Sequence, residues 1–138
     1  MASGIYVVAK GDLMTGAINL GNGGNAIYVT LYDTNHAFTA TDTAYTTINE
    51  LATAGGYTQG VTATNLLAGQ AVTEAATTKW DATDKSWTSA TFTAYHAVIF
   101  DATNTNSLIC SIDFGGAKTV SAGTFTIIWD SAGIITLA

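Results

Sequence analysis

The chain has 138 residues, a net charge of -6 and only four cationic side chains, Lys10, Lys79, Lys85 and Lys118, with neither arginine nor proline. Four scattered lysines form no phosphate-binding stripe, which argues against direct nucleic-acid binding, and no apolar run reaches the ~18 residues of a membrane helix. Charged residues make up 10% of the chain, against about 25% in an ordinary soluble domain, whereas 48% are hydrophobic, including three tryptophans, six tyrosines and five phenylalanines, which excludes a disordered chain.

This length reads as one domain, 1–138. A surface rich in threonine, alanine, glycine and asparagine with little charge fits a protein packed against copies of itself or a scaffold. Cys110 is the only cysteine, so no intrachain disulfide forms; within Leu108–Ile112 it reads as a small buried hydrophobe.

In chain order, Ile5-Tyr6-Val7-Val8 is a short apolar arm within residues 1–10, too short and too poor in positive charge for a secretion signal. Lys10-Gly11-Asp12 reads as a turn, and Leu13–Leu20 as a weak strand interrupted by Gly16. Gly21–Asn25 is a loop whose Asn-Gly pair suits positive φ. Ala26–Asp33 is an amphipathic strand, with Ile27, Val29 and Leu31 on one face and Tyr28, Thr30 and Tyr32 on the other. Asp33–Thr43 is a polar connection, Thr43–Leu51 a turn with a short strand, and Gly55–Gly60 a structured glycine-rich loop.

Asn65–Val72, Thr77–Ala82 and Ser86–Thr88 read as short strands. Thr91–Asp101 is apolar at both sets of alternate positions, which marks a central strand covered on both faces. Leu108–Phe114, Phe125–Trp129 and Ile134–Leu137 complete the set. The expectation is an all-β fold, an antiparallel β-sandwich of jelly-roll or immunoglobulin-like type with eight to ten short strands and little helix. Sheet edges are normally blocked by lysine, proline or charge. This chain has little of these, so either the sheet closes or partners cover its edges.

No residue pattern carries a reaction. His36 in the polar loop and His96 within a strand lack the clustered ligands of a zinc site; His96 reads as a hydrogen-bonded core residue and His36 as exposed or at a contact surface. No nucleophile elbow is present. Glu50, Glu74, Asp81, Asp84 and Asp113 are candidate paired carboxylates, but solvated surface charge explains them. Asp101–Asn106 resembles a cation loop without its glycine and distal glutamate, and reads as a hairpin turn built on Asp and Asn side chains. Trp80, Trp87 and Trp129 read as core; the other reading makes Trp80, Trp87 or Tyr57 a sugar-stacking platform. No catalytic residue, cofactor or metal is assigned.

Three stretches carry a family likeness. These are Gly56-Tyr57-Thr58-Gln59-Gly60 preceded by Asn49-Glu50; Tyr95–Asp101 continuing to Leu108–Gly115; and Phe125–Trp129 closing with Gly133–Leu137. From about residue 45 onward the chain resembles small virion structural proteins of tailed bacteriophages, with His96 standing where that pattern often has arginine. The resemblance implies a β-sandwich displayed on the virion, in particular a capsid decoration or cement protein, and brings no catalytic residues with it. The implied partners are the major capsid protein and copies of the chain itself, with a trimer ahead of a dimer, on a virion assembled in the host cytoplasm. The contact candidates are Ile5, Tyr6, Val7 and Val8, as an arm Ala2–Val8 that adds a strand to a neighbour, together with Tyr57 and Gln59. The equal alternative is that Ile5–Val8 is the first strand of its own domain. A tail, neck or fibre component is the alternative role, and a carbohydrate-binding module the alternative class.

Overall fold

The structure, a computed structural model, describes residues 3–138; Ala2, the first residue of the expected arm, lies outside them. Seven strands and one α-helix follow in order: β1 Gly4–Ile5, α1 Val7–Thr15, β2 Ile27–Tyr32, β3 Ala71–Thr73, β4 Thr78–Asp81, β5 Lys85–Asp101, β6 Ser107–Ile127 and β7 Ile135–Leu137, with a 3-10 turn at Ala63–Asn65. A four-stranded antiparallel sheet runs β1-β6-β5-β2, and a three-stranded one runs β3-β4-β7. The fold is all-β and sandwich-like, as the sequence implied. Its strands are fewer than expected, and two are far longer.

The length of β5 and β6 has a local cause. Ser86–Thr88 and Thr91–Asp101 are one strand because Ser89, at φ 50°, absorbs the irregularity as a bulge instead of ending the ladder. Leu108–Phe114 and Phe125–Trp129 likewise join, because Gly115 (φ 75°) and Gly116 (φ 140°) let the backbone bend and continue. The two strands form one hairpin closed at Asp101–Ser107. Asp101 is fully buried there; its Oδ1 accepts from the N–H groups of Thr103 and Asn104, and its Oδ2 from Asn25 Nδ2. The carboxylate therefore serves as the clamp of a hairpin turn.

The N-terminal segment departs from expectation. Val7–Thr15 is helical, and Gly16, read as a break in a strand, is the left-handed residue that ends the helix at φ 76°. Only Ala9 on α1 is buried, so the helix has no broad apolar face to hold it. A tether does so instead: Asp12 Oδ2 accepts from Ser107 Oγ at 2.6 Å and Asn104 Nδ2 at 2.9 Å, fixing α1 to the hairpin turn. These partners are far away in sequence, which is why local pattern missed them.

The alternation read from β2 holds, with a core on each side; in β5 it holds from His96 to Asp101, whereas an irregularity between Ala94 and His96 turns Phe92 and Ala94 to the face of Ala97 and Ile99. Ile27, Val29, Leu31, Ala97 and Ile99 face the main core, which extends to Trp80 and Ile135 of the second sheet. Tyr32, Val98 and Phe100 face a smaller core with Tyr6 and Leu108, covered by the long polar connection through Phe38 and Tyr45. Full burial of each large apolar side chain is worth roughly 1.5–3 kcal/mol, so this doubly covered centre is where stability concentrates. Cys110 is buried, and burial pushes its thiol up to about 12.

Candidate interaction surface

Two places invite a functional reading: a polar pocket on the inner half of the hairpin, and an open strand edge on its outer half.

The pocket, about 520 Å³, is lined by Tyr6, Tyr32, His36, Asp42, Thr46 and Asn49 among others. The Asp33–Thr43 connection brings His36 over the sheet, where its ring lies 4.7 Å from Tyr32 and 5.1 Å from His96. His36 Nε2 is 3.0 Å from Ser111 Oγ. A serine beside a histidine has the form of a nucleophile and base, but Ser111 is 1% exposed and lies beneath the ring, paired in the sheet with Gly4 and Val98. The hydrogen bond seats His36 on β6. Burial lowers the pKa of both histidines, and His36 is lowered further by His96. His96 is buried, as expected of a core residue, with Nδ1 3.7 Å from Asp113 Oδ1. The Gly115 N–H on Asp113 holds that carboxyl below its usual range.

Glu50 corrects the reading of solvated charge. It is 7% exposed and accepts hydrogen bonds from Tyr45 Oη, from Tyr57 Oη at 2.7 Å and from the Gly60 N–H at 2.8 Å. Tyr57 Oη in turn accepts from the Leu31 N–H. Burial first, then the Glu50 charge, pushes the Tyr57 hydroxyl well above its ordinary pKa. Asn65, wholly buried, adds a second fastener by donating to Thr58 O and Gly60 O and accepting from Trp87 Nε1. Gly55 and Gly56 sit against the backbone of Ser89–Thr91, where a Cβ on Gly55 would come 2.0 Å from Thr91 O. The glycine-rich loop is thus a fastener between β2 and β5, which Glu50's neighbours in sequence did not announce.

These contacts redistribute the expected partner residues. Tyr6 and Tyr57 are 1% and 2% exposed and belong to the cores, so neither offers a contact surface. Ile5 is strand-paired to Cys110, and Val7 and Val8 are helical, so Ile5–Val8 is bound to its own domain and is not a free arm. Val7 remains exposed, and Gln59 is half-buried with Nε2 reaching toward Glu50 O. Trp80 and Trp87 are core residues, as read; with Tyr57 buried as well, the sugar-stacking platform named from sequence is absent from the surface. Trp129 is half-buried, its Nε1 donating to Thr83 O.

The surface that stays open is elsewhere. Along β2, the edge away from β5 is closed by irregular chain: Asp33 N–H donates to Asn49 O, Leu51 N–H to Leu31 O and Leu67 N–H to Ile27 O. Along β6, the edge away from β5 carries β1 only at Cys110 and Ser111. From Phe114 to Ile127 no strand among the described residues lies beside it. Phe92, Phe114 and Phe125 pack together on this outer ribbon, each half-buried, and Ile128 at its end is 76% exposed. Sequence reading raised the uncovered edge in general; its place was hidden because β6 was read as two strands with a gap over this stretch.

Compared with protein-family models, curated proteins and solved structures, the chain matches none.

Proposed function

We propose that this protein is a structural module of a virion, a capsid decoration protein that lies over junctions between major capsid subunits and steadies the shell by adding buried interface. The observation that carries the reading is the open edge of β6, a long strand whose outer half has no neighbouring strand, among the described residues, on the side away from β5. Such an edge is a template for another chain, and strand addition is a recurrent way to build protein contacts. The carboxylates Asp12, Glu50 and Asp101 support the same reading, since each is engaged in holding the fold. The resemblance to small phage virion proteins supplies the setting. The role requires adhesion and rigidity and no chemical step.

The test is to mix the purified protein with expanded capsids and image the particles by electron cryo-microscopy. A decoration protein occupies hundreds of positions per particle in a lattice-matched pattern. Tens of copies or fewer, at a vertex or along the tail, would transfer the protein to a neck, tail or fibre role. No association with particles would sink the virion reading.

A further inference from the structure

The partner of the open edge can be named from its charge. The chain carries ten acidic residues and a net charge of -6, so most pairs of its surfaces repel. Residues 114–129 contain no acidic residue and one base, Lys118. This is the stretch on which a second copy meets least repulsion.

We propose that two copies pair through this edge, β6 against β6 in antiparallel, about a twofold axis at Thr124. The proposal deepens the packing role above and rests on it only for the need of a neighbour. A twofold interface sets the same patch against itself, so one choice of axis fixes every rung. With Thr124 opposite its own copy, Gly123 faces Phe125 and Ser121 faces Ile127, while Lys118 comes level with Asp130, three residues past the end of the strand. Two of these are complementary: a ring covers a bare glycine, and the only base of the edge lies within reach of an acid. Ala122, at φ 46°, kinks the strand just outside the central rungs, and its N–H is taken up by Thr91 Oγ1 within the same chain. Thr124 is exposed, so substitutions there leave the core alone. The symmetric pairing makes a dimer, where the sequence reading placed a trimer first.

Sedimentation velocity of the whole chain between about 5 and about 200 µM tests this, because a self-pairing edge gives a concentration-dependent dimer. Thr124→Asp and Thr124→Lys should each weaken the dimer about tenfold or more, since like charges directly opposite destabilise a strand pair. Mixing the two variants should restore association as a heterodimer. Their melting temperatures, taken at a concentration where wild type is monomeric, should stay at the wild-type value. Thr124→Cys should cross-link to itself under mild oxidation, with buried Cys110 outside the reaction. A wild type that stays monomeric over the range, or an association indifferent to charge at Thr124, overturns the proposal. A monomer that still decorates capsids would remove this pairing and leave the structural role standing.

Discussion

The two halves of the β5–β6 hairpin are built from the same alternating strands and have opposite surroundings. Near the turn, Ala97–Asp101 and Ser107–Ser111 are buried on both faces, and their polar groups are matched within the chain. Away from it, Trp87, Ala90 and Ala94 of β5 still enter the main core, but the other face is open and Phe114–Thr126 of β6 has, among the described residues, no strand on the side away from β5. The half near the turn is held on both faces by long-range contacts; farther out such contacts reach β5 through Asn65 and the Gly55–Gly60 loop, and β6 is held mainly by its cross-strand pairs with β5. The inner half therefore supplies stability, and the outer half supplies surface.

Substitutions can break this contrast, and the largest effect belongs to the inner half. Phe100 is fully buried and stacks on Tyr45 and Tyr28; Phe100→Ala should cost about 3–5 kcal/mol, visible in a urea titration as a lower midpoint with an unchanged slope. Glu50→Ala comes next. It strips Tyr45 Oη, Tyr57 Oη and the Gly60 N–H of their acceptor, and should cost roughly 2–3 kcal/mol, read by the same titration; an effect below ~0.5 kcal/mol would show that the carboxylate is not the fastener described.

Acid sharpens the comparison further. Burial lowers the folded-state pKa of His36 and His96 below the ordinary 6.5, so the fold favours their neutral forms. Above pH 6.5 both states are neutral and stability is flat with respect to them; as the pH falls below 6.5 the unfolded chain takes up protons first, and stability declines toward the lowered pKa values. The melting temperature should hold between pH 8 and pH 7 and drop below about pH 6.5, with the slope reduced in His36→Gln. The smallest effect belongs to the outer half. Thr93 Oγ1 and Thr119 Oγ1 lie 2.9 Å apart across the exposed ribbon, and Thr119→Val should change stability by under ~0.5 kcal/mol.

What the sequence made legible follows from the range of the physics involved. Alternation in Ala26–Asp33 and Thr91–Asp101 is local, and it identified both strands; the double covering expected over Thr91–Asp101 holds only for His96–Asp101, because the irregularity before His96 depends on the partner strand. Asp101 and its asparagines form a turn from neighbouring groups, so that too was readable. Glu50 was misread because two of its three donors, Tyr57 and Gly60, come from a loop that folds back, and a lone glutamate among threonines looks like any surface acid. The helix at Val7–Thr15 was missed because valine-rich sequence favours strand and the tether that overrides it, Asp12 to Asn104 and Ser107, spans most of the chain. The continuity of β6 was hidden by Gly115 and Gly116, which mark turns more often than bulges. Tyr6 and Tyr57, expected as contacts, are buried, and neither the apolar run around Tyr6 nor the glycine-rich loop around Tyr57 shows in sequence which way an aromatic ring will turn.

The Asp12–Ser107 tether also bears on how the polypeptide is made. The two residues are 95 apart, and at a ribosomal pace of ~5–20 residues per second the helix emerges roughly 5 to 20 s before its anchor exists. The hairpin, whose halves are adjacent in the chain, closes without that delay, so the amino-terminal segment docks last onto a finished frame. Pulse-labelled hydrogen exchange during refolding should find amides of β5 and β6 protected before those of α1.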